Sequence, residues 1–409
     1  MIEKKPMLSA AEALDILLSA VRPVQDQERL PTLAANGRVL AVAQSSQLNV
    51  PPMDNTQMDG YAVRAADCAS GNAKLRVAQR IPAGQVGQPL QAGTAARIFT
   101  GAMIPEGADA VVMQEMCVAE GDSVIINHMP QSGEWIRRTG EDIRAGSVIL
   151  PAGTRLRGQE LGLAASVGLA TLPVVRKLRV AVFFTGDELA MPGEPLRPGA
   201  IYNSNRFTLR GLLENLGCEI TDYGIVPDSL GATRSTLREA AQEHDLIITS
   251  GGVSVGEEDH IKPAVEAEGR LNMWQIAIKP GKPLAFGEVN RAGKTGNAFF
   301  LGLPGNPVSS LVTFLLFVRP FILRLQGVAD VAPKAFTMRA DFAWPKADRR
   351  NEFLRAKINA DGGLDLFPNQ SSAVLTSTVW GDGLIDNPSG RTIAPGELVR
   401  FIPFNELLY

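Results

Sequence analysis

Cysteine and histidine are scarce, at three each in 409 residues. Cys68, Cys117 and Cys218 are scattered and form no CxxC, which excludes a disulfide framework and a zinc ribbon. His128, His244 and His260 are equally isolated. A His/Cys metal site is therefore not expected, and any bound metal should be a hard ion with oxygen ligands. No Ser-His-Asp arrangement stands out either. There is no excess of basic charge: 40 Lys+Arg against 43 Asp+Glu leaves a net charge of −3. General nucleic-acid binding, which needs a basic surface, is excluded, while a small basic pocket for an anion is not. Low hydrophobicity is also missing, since 45% of the residues are hydrophobic, so disorder is not the main state. No apolar run reaches the ~20 residues of a membrane span. The strongest, Leu311–Val318, stops at Arg319-Pro320. The start, MIEKKPM, is basic, but Glu12 and Asp15 interrupt the apolar stretch behind it, so no signal peptide is read. The expectation is a cytoplasmic protein.

What is present in quantity is turn chemistry. Gly 40 and Pro 27 together exceed the roughly 12% of an average protein, and they are spread along the whole chain. The length predicts two to four domains. Residues 8–21 read as an amphipathic helix with Ser9 and Glu12 at capping-box spacing. Residues 46–146 are β-rich, with strands such as Ala110–Met113 and Val124–Ile126. They read as an insertion between segments 22–45 and 147–177. Residues 178–326 alternate strands and helices, which predicts a mostly parallel sheet with helices on both faces. From 327 onward short strands and turns return.

Ligands of such a sheet bind beyond the carboxyl ends of its strands, and the notable motifs sit there. Thr249-Ser250-Gly251-Gly252-Val253-Ser254 follows a buried strand, and its exposed N–H groups with Ser250 and Ser254 suit a phosphate. A plain strand–helix turn reads equally well from spacing alone. Thr185-Gly186-Asp187-Glu188, Pro227-Asp228 and Asp259 bring three carboxylates to the same side, Glu188, Asp228 and Asp259. Beside a phosphate they call for a cation, and Mg²⁺ is the natural one. Each acid alone reads as an N-cap or a solvated charge. Lys279-Pro280-Gly281-Lys282-Pro283 holds two lysines on a stiff loop before a strand, which suits an anion. In Gly302-Leu303-Pro304-Gly305-Asn306-Pro307, Asn306 reads as an N-cap and Pro307 as the first residue of a long helix. Asp59-Gly60, in MDGYAV, reads as a hairpin turn.

Together these phrases resemble the MoeA family of molybdopterin molybdenumtransferases, whose module also forms the C-terminal domain of gephyrin. The matching text is MDGYAV at 58–63, GDEL at 186–189, TSGGVSVGEED at 249–259, KPGKP at 279–283 and GLPGNPVS at 302–309. The resemblance covers essentially the whole chain. It implies an α/β multidomain homodimer: a helix 7–21, domain I at 22–45 and 147–177, a β-rich domain II at 46–146, a central α/β sandwich at 178–326 and a C-terminal β-barrel at 327–409. The implied reaction joins molybdate to adenylylated molybdopterin with release of AMP and with Mg²⁺. By position, Thr185, Ser250, Gly251, Gly252, Ser254, Pro304, Asn306 and Pro307 would hold the nucleotide, and Glu188, Asp228 and Asp259 the metal and pyrophosphate link. Lys279, Lys282, Arg350 and Ser371 would hold molybdate or the pterin phosphate. Asp59 and Thr100 would act from the partner subunit, and Asp142 would line the same cleft. Gln275 and His260 depart from positions where relatives can carry a lysine and an aromatic. Implied partners are adenylylated molybdopterin and molybdate, then the molybdopterin adenylyltransferase and downstream cofactor enzymes. A molybdopterin adenylyltransferase or a gephyrin-like scaffold are the competing readings.

Overall fold

The computed structural model describes residues 7–253, 260–293 and 296–408, with the backbone only for Met273 and Trp274. Ser254 and Asp259, both expected at the site, lie outside the described residues.

The central unit is a six-stranded sheet. Its order is Glu219–Val226, Arg179–Thr185, Leu246–Ser250, Asn297–Leu303, Pro283–Asn290, Gly269–Gln275. The first four strands are parallel; Pro283–Asn290 is antiparallel to both of its neighbours, so Gly269–Gln275 runs in the direction of the first four. The sheet is mixed: the parallel order expected of it holds among the first four strands and is broken by Pro283–Asn290. The cause is local. The helix Ile261–Glu268 runs straight into the strand Gly269–Gln275, and Pro283–Asn290 then turns back between it and Asn297–Leu303 with no crossover helix on either side.

Side chains alternate across this sheet, as the two-residue period requires. Val180, Val182 and Phe184 pack with Leu209, Leu213 and the long helix that begins at Pro307. Ala181 and Phe183 pack with Leu237, Ala240, Ile261 and Ala264 on the other face. Both faces are thus covered, which explains strands written as unbroken apolar runs. The helix Ala10–Ala20 carries the expected capping box, Glu12 N to Ser9 Oγ at 3.2 Å and Ser9 N to Glu12 Oε2 at 2.8 Å. It buries Ala13 and Leu17 in the first of these cores.

The helical span Pro307–Leu325 is by length and composition apolar enough to cross a membrane, contrary to the reading of its sequence. It is nevertheless an interior element, mostly buried in the core. A π segment, Phe314–Val318, interrupts it just before Pro320. Proline has no N–H for the carbonyl one turn back and its ring crowds that carbonyl, so the helix widens there.

The strand Gln27–Pro31 pairs with Thr171–Val175, and Gln44–Ser45 with Val148–Leu150. The chain between them carries a six-stranded sheet with a hydrophobic cluster on each face. Here the hairpin reading of Asp59-Gly60 fails. Gly60 opens the strand Gly60–Val63 inside this sheet, where a Cβ would sit 2.0 Å from the Val112 carbonyl oxygen. Glycine is required there for close backbone approach.

The C-terminal sheet runs Ile278–Lys279, Asn351–Ile358, Gly383–Asn387, Leu398–Pro403, Phe336–Arg339, with Leu364–Leu366 beside Asn351–Ile358. One bridge, Ala340 to Leu364, links its far ends. Its first strand is borrowed from the central unit: Ile278 and Lys279 pair in parallel with Asn351 and Glu352.

Candidate functional site

The carboxyl ends of the four parallel strands open into a cleft of about 1060 Å³. Thr185, Glu188, Asp228, Ser250, Gly251, Gly252, Pro304, Asn306 and Pro307 line it, as do Lys279, Lys282, Arg350 and Ser371. The structure therefore gathers thirteen of the residues expected at the site. It does not bring Asp59, Thr100 or Asp142 to this cleft of their own chain. Asp59 and Thr100 meet each other instead: Thr100 N and Oγ1 donate to Asp59 Oδ1 at 2.8 and 2.7 Å. Those bonds, the backbone one first, hold the Asp59 carboxyl below its ordinary pKa. Asp142 is exposed, its N–H bonded to the Val50 carbonyl.

The glycine loop is built by close contact. Gly251 has φ +104°, and a Cβ there would lie 2.7 Å from the Thr185 carbonyl oxygen, so no other residue fits without strain. Ser250 is buried, and its hydroxyl donates to the Pro304 carbonyl at 3.0 Å. The Ser250 side chain thus braces two loops and does not present its proton to a ligand. Asn306 takes the N-cap position and Pro307 follows at N1, but the Asn306 side chain makes no capping bond. The first turn of that helix is tied to the C-terminal domain, Val308 N donating to Ser372 O at 2.9 Å. This bond brings Ser371 to the rim.

Glu188 and Asp228 are exposed, and neither meets a cation among the described residues. Ser229, not Asp228, caps the next helix, with Ala232 N donating to its Oγ at 3.3 Å. Among the described residues no group of three His, Cys, Asp or Glu is placed to hold a metal. The two free carboxylates are an all-oxygen donor set, which fits a hard cation that also takes ligand oxygens.

The basic side is more constrained than its sequence suggests. Lys279 Nζ lies 2.9 Å from Glu352 Oε1 and 3.3 Å from Asp348 Oδ2. Burial alone would lower the Lys279 pKa, but the bonds to Glu352 and then Asp348 outweigh it and raise it. Arg350 grips Asp348 with two bonds of 3.0 Å, and this pair first of all drives the Asp348 carboxyl far below the usual carboxylate range. Glu352 is 1% exposed and also accepts Trp344 Nε1 at 2.7 Å. Lys282 is exposed and forms no ion pair among the described residues. Asp348, Glu352, Gln370 and Arg355 are contributors that the sequence reading missed. Arg355, fully buried, donates to Ser371 O at 3.2 Å, to Ser377 Oγ at 3.1 Å and to Phe353 O at 3.3 Å. Burial without a carboxylate lowers its pKa to about 10. No local signal marks Glu352, because Lys279, its partner, comes from a distant strand.

Known proteins are similar to this chain along its length. Residues 8–168 match the MoeA N-terminal region (domain I and II), residues 181–324 the probable molybdopterin binding domain and residues 337–404 the MoeA C-terminal region (domain IV). A molybdopterin molybdenumtransferase of Haemophilus influenzae is 42% identical over 98% of this chain and all of its own. One from Nostoc is 41% identical over 95% of this chain and 91% of its own. A crystal structure of a molybdopterin biosynthesis moeA protein from Pyrococcus horikoshii superposes with a TM-score of 0.84 at 29% identity, covering 97% of this chain and 100% of the other. With the cleft at the strand ends and these matches along its length, the chain belongs to the MoeA family.

Proposed function

We propose that this chain is a molybdopterin molybdenumtransferase, which joins molybdate to adenylylated molybdopterin and releases AMP in molybdenum cofactor synthesis. One observation carries the reading: a single cleft combines glycine-loop strand ends, two free carboxylates and three cationic side chains, in a chain whose curated relatives bear that name over nearly full length. Substrate and molybdate are both anions, so rate should come from positioning and charge neutralisation, not from a strong base. Glu188 and Asp228, with Asp259, would hold Mg²⁺. When bound, Mg²⁺ supplies charge neutralisation on phosphate oxygens. Thr185, Ser250–Gly252 with Ser254, Pro304, Asn306 and Pro307 would seat the nucleotide. Lys282 would meet the oxyanion first, and Lys279 and Arg350 would share it with their own carboxylates, with Ser371 at the rim.

Asp59, Thr100 and Asp142 enter this scheme only through a second copy. A cytoplasmic homodimer, with the 46–146 region of one subunit facing the cleft of the other, would place the Asp59–Thr100 pair at the reacting groups. The domains are read as helix 7–21, then 22–45 with 147–177, then 46–146, 178–326 and 327–409. The last is read as a barrel closed through the Ala340–Leu364 bridge. The adenylyltransferase reading would engage the central unit alone and leaves the two flanking family regions without a task. A scaffold would bind without turnover.

The test is a defined reaction with adenylylated molybdopterin, Mg²⁺ and low molybdate, following AMP and cofactor together. Both products should appear only with molybdate. Tight substrate binding with no AMP release would favour the scaffold.

A further inference from the structure

Asn205 is the second residue of the helix Ser204–Asn215, 9% exposed, and lines the cleft. Its Nδ2 donates to Gly305 O at 2.8 Å and to Ser250 Oγ at 2.9 Å. A backbone carbonyl can only accept, so the amide orientation is fixed: nitrogen toward the loops, oxygen away from them. The Ser250 hydroxyl agrees, since its proton goes to the Pro304 carbonyl at 3.0 Å and its lone pair is left for Asn205. Both amide protons are therefore taken. Oδ1 has no partner among the described residues and is not among the buried unsatisfied atoms. It is the one polar atom Asn205 has left for the cleft.

Charge is sorted along the row of strand ends. In sheet order, Asp228 follows the outermost strand, Glu188 the next, Ser250 ends the third, Pro304 follows the fourth, and Lys282 precedes the fifth. Four strand spacings separate the ends of this row, roughly 19 Å. One side presents carboxylates, the other Lys282 with Lys279 and Arg350. Asn205 Oδ1, beside Ser250, is an acceptor that repels phosphate oxygens and suits an N–H or O–H donor.

We propose that Asn205 is a positioning residue with two linked tasks: it latches the Ser250–Gly252 loop to the Pro304-Gly305 turn, and it fixes an acceptor that selects the neutral, donor-bearing nucleoside part of the ligand. The molybdate or pterin-phosphate part belongs at the lysine side. The nucleoside assignment rests on the nucleotide reading above, whereas the latch does not.

Two measurements separate them. In unliganded protein, Asn205→Ala, with Asn205→Ser as the milder variant if Ala does not fold, should speed amide exchange at 250–253 and at Gly305 and Asn306 together. Unchanged exchange at both loops overturns the latch. In calorimetric titration, the same variant should weaken adenosine and AMP about tenfold, the size of one lost net hydrogen bond, and leave inorganic phosphate unchanged. Lys282→Ala should weaken phosphate and spare adenosine. Equal loss of phosphate and adenosine in the Asn205 variant overturns the selectivity. Wild-type protein that binds phosphate but neither adenosine nor AMP overturns the nucleoside assignment and the reading beneath it, while the exchange result still decides the latch.

Discussion

A carboxylate that accepts two parallel bonds from a guanidinium resists protonation, and Asp348 does so from Arg350. Its folded pKa is depressed, so it contributes stability above its unfolded value of about 3.9 and loses it as pH falls through the folded value. Against Asp348→Asn, the stability advantage of the native chain should be constant above about pH 5 and shrink below about pH 4. Denaturant titrations at stepped pH check this, and an advantage that grows on acidification would contradict it. Glu352 makes a second residue-level test. It is buried and bonded to Lys279, Trp344 and Asn387. Glu352→Leu should cost about 3 kcal/mol, because Lys279 and the indole N–H then lose their acceptor. The midpoint of urea unfolding measures it, and a loss under about 1 kcal/mol would mean that water replaces the carboxylate.

At the scale of elements, the capping box makes the first helix testable. Ser9→Ala should cost about 1 kcal/mol, read as a lower thermal midpoint. Gly60→Ala is harsher, since its Cβ would meet a backbone carbonyl inside a sheet; more than about 2 kcal/mol should be lost. Elements written by local periodicity were legible: the helix Leu230–Glu243 follows from its apolar spacing and its Ser229 cap, and the helix Ile261–Glu268 and strands such as Glu219–Val226 from apolar spacing alone. The strand Gly269–Gln275 was not, because one glycine ends a helix and begins a strand with no turn residues between. Gly60 misled for a related reason: Asp-Gly is a hairpin signal only when the chain reverses, and whether it reverses is decided by Val112 across the sheet. The site divides in the same way. Strand ends and glycine loops announce Glu188, Asp228 and Ser250–Gly252, while Glu352 reaches Lys279 across 73 residues of chain that no local pattern spans.

For the whole molecule, the distance of Asp59 and Thr100 from their own cleft sets a quantitative expectation. Asp59→Ala and Asp228→Ala should each be inactive alone. If the cleft is shared between two copies, mixing them by unfolding and refolding should return about a quarter of native turnover, because half the dimers are mixed and each has one intact site. No recovery in mixed dimers verified by mass would mean that Asp59 does not act across a subunit boundary.

The two-residue strand Ile278–Lys279 belongs to one sheet by chain and to another by pairing. It is a stitch, and it makes the anion wall common property of two folding units. A chain severed after residue 326 would keep every glycine loop and both free acids, yet lose Arg350, Ser371 and the acids that restrain Lys279. Such a fragment would keep the glycine-loop side of the cleft with an unbridled lysine and half a wall.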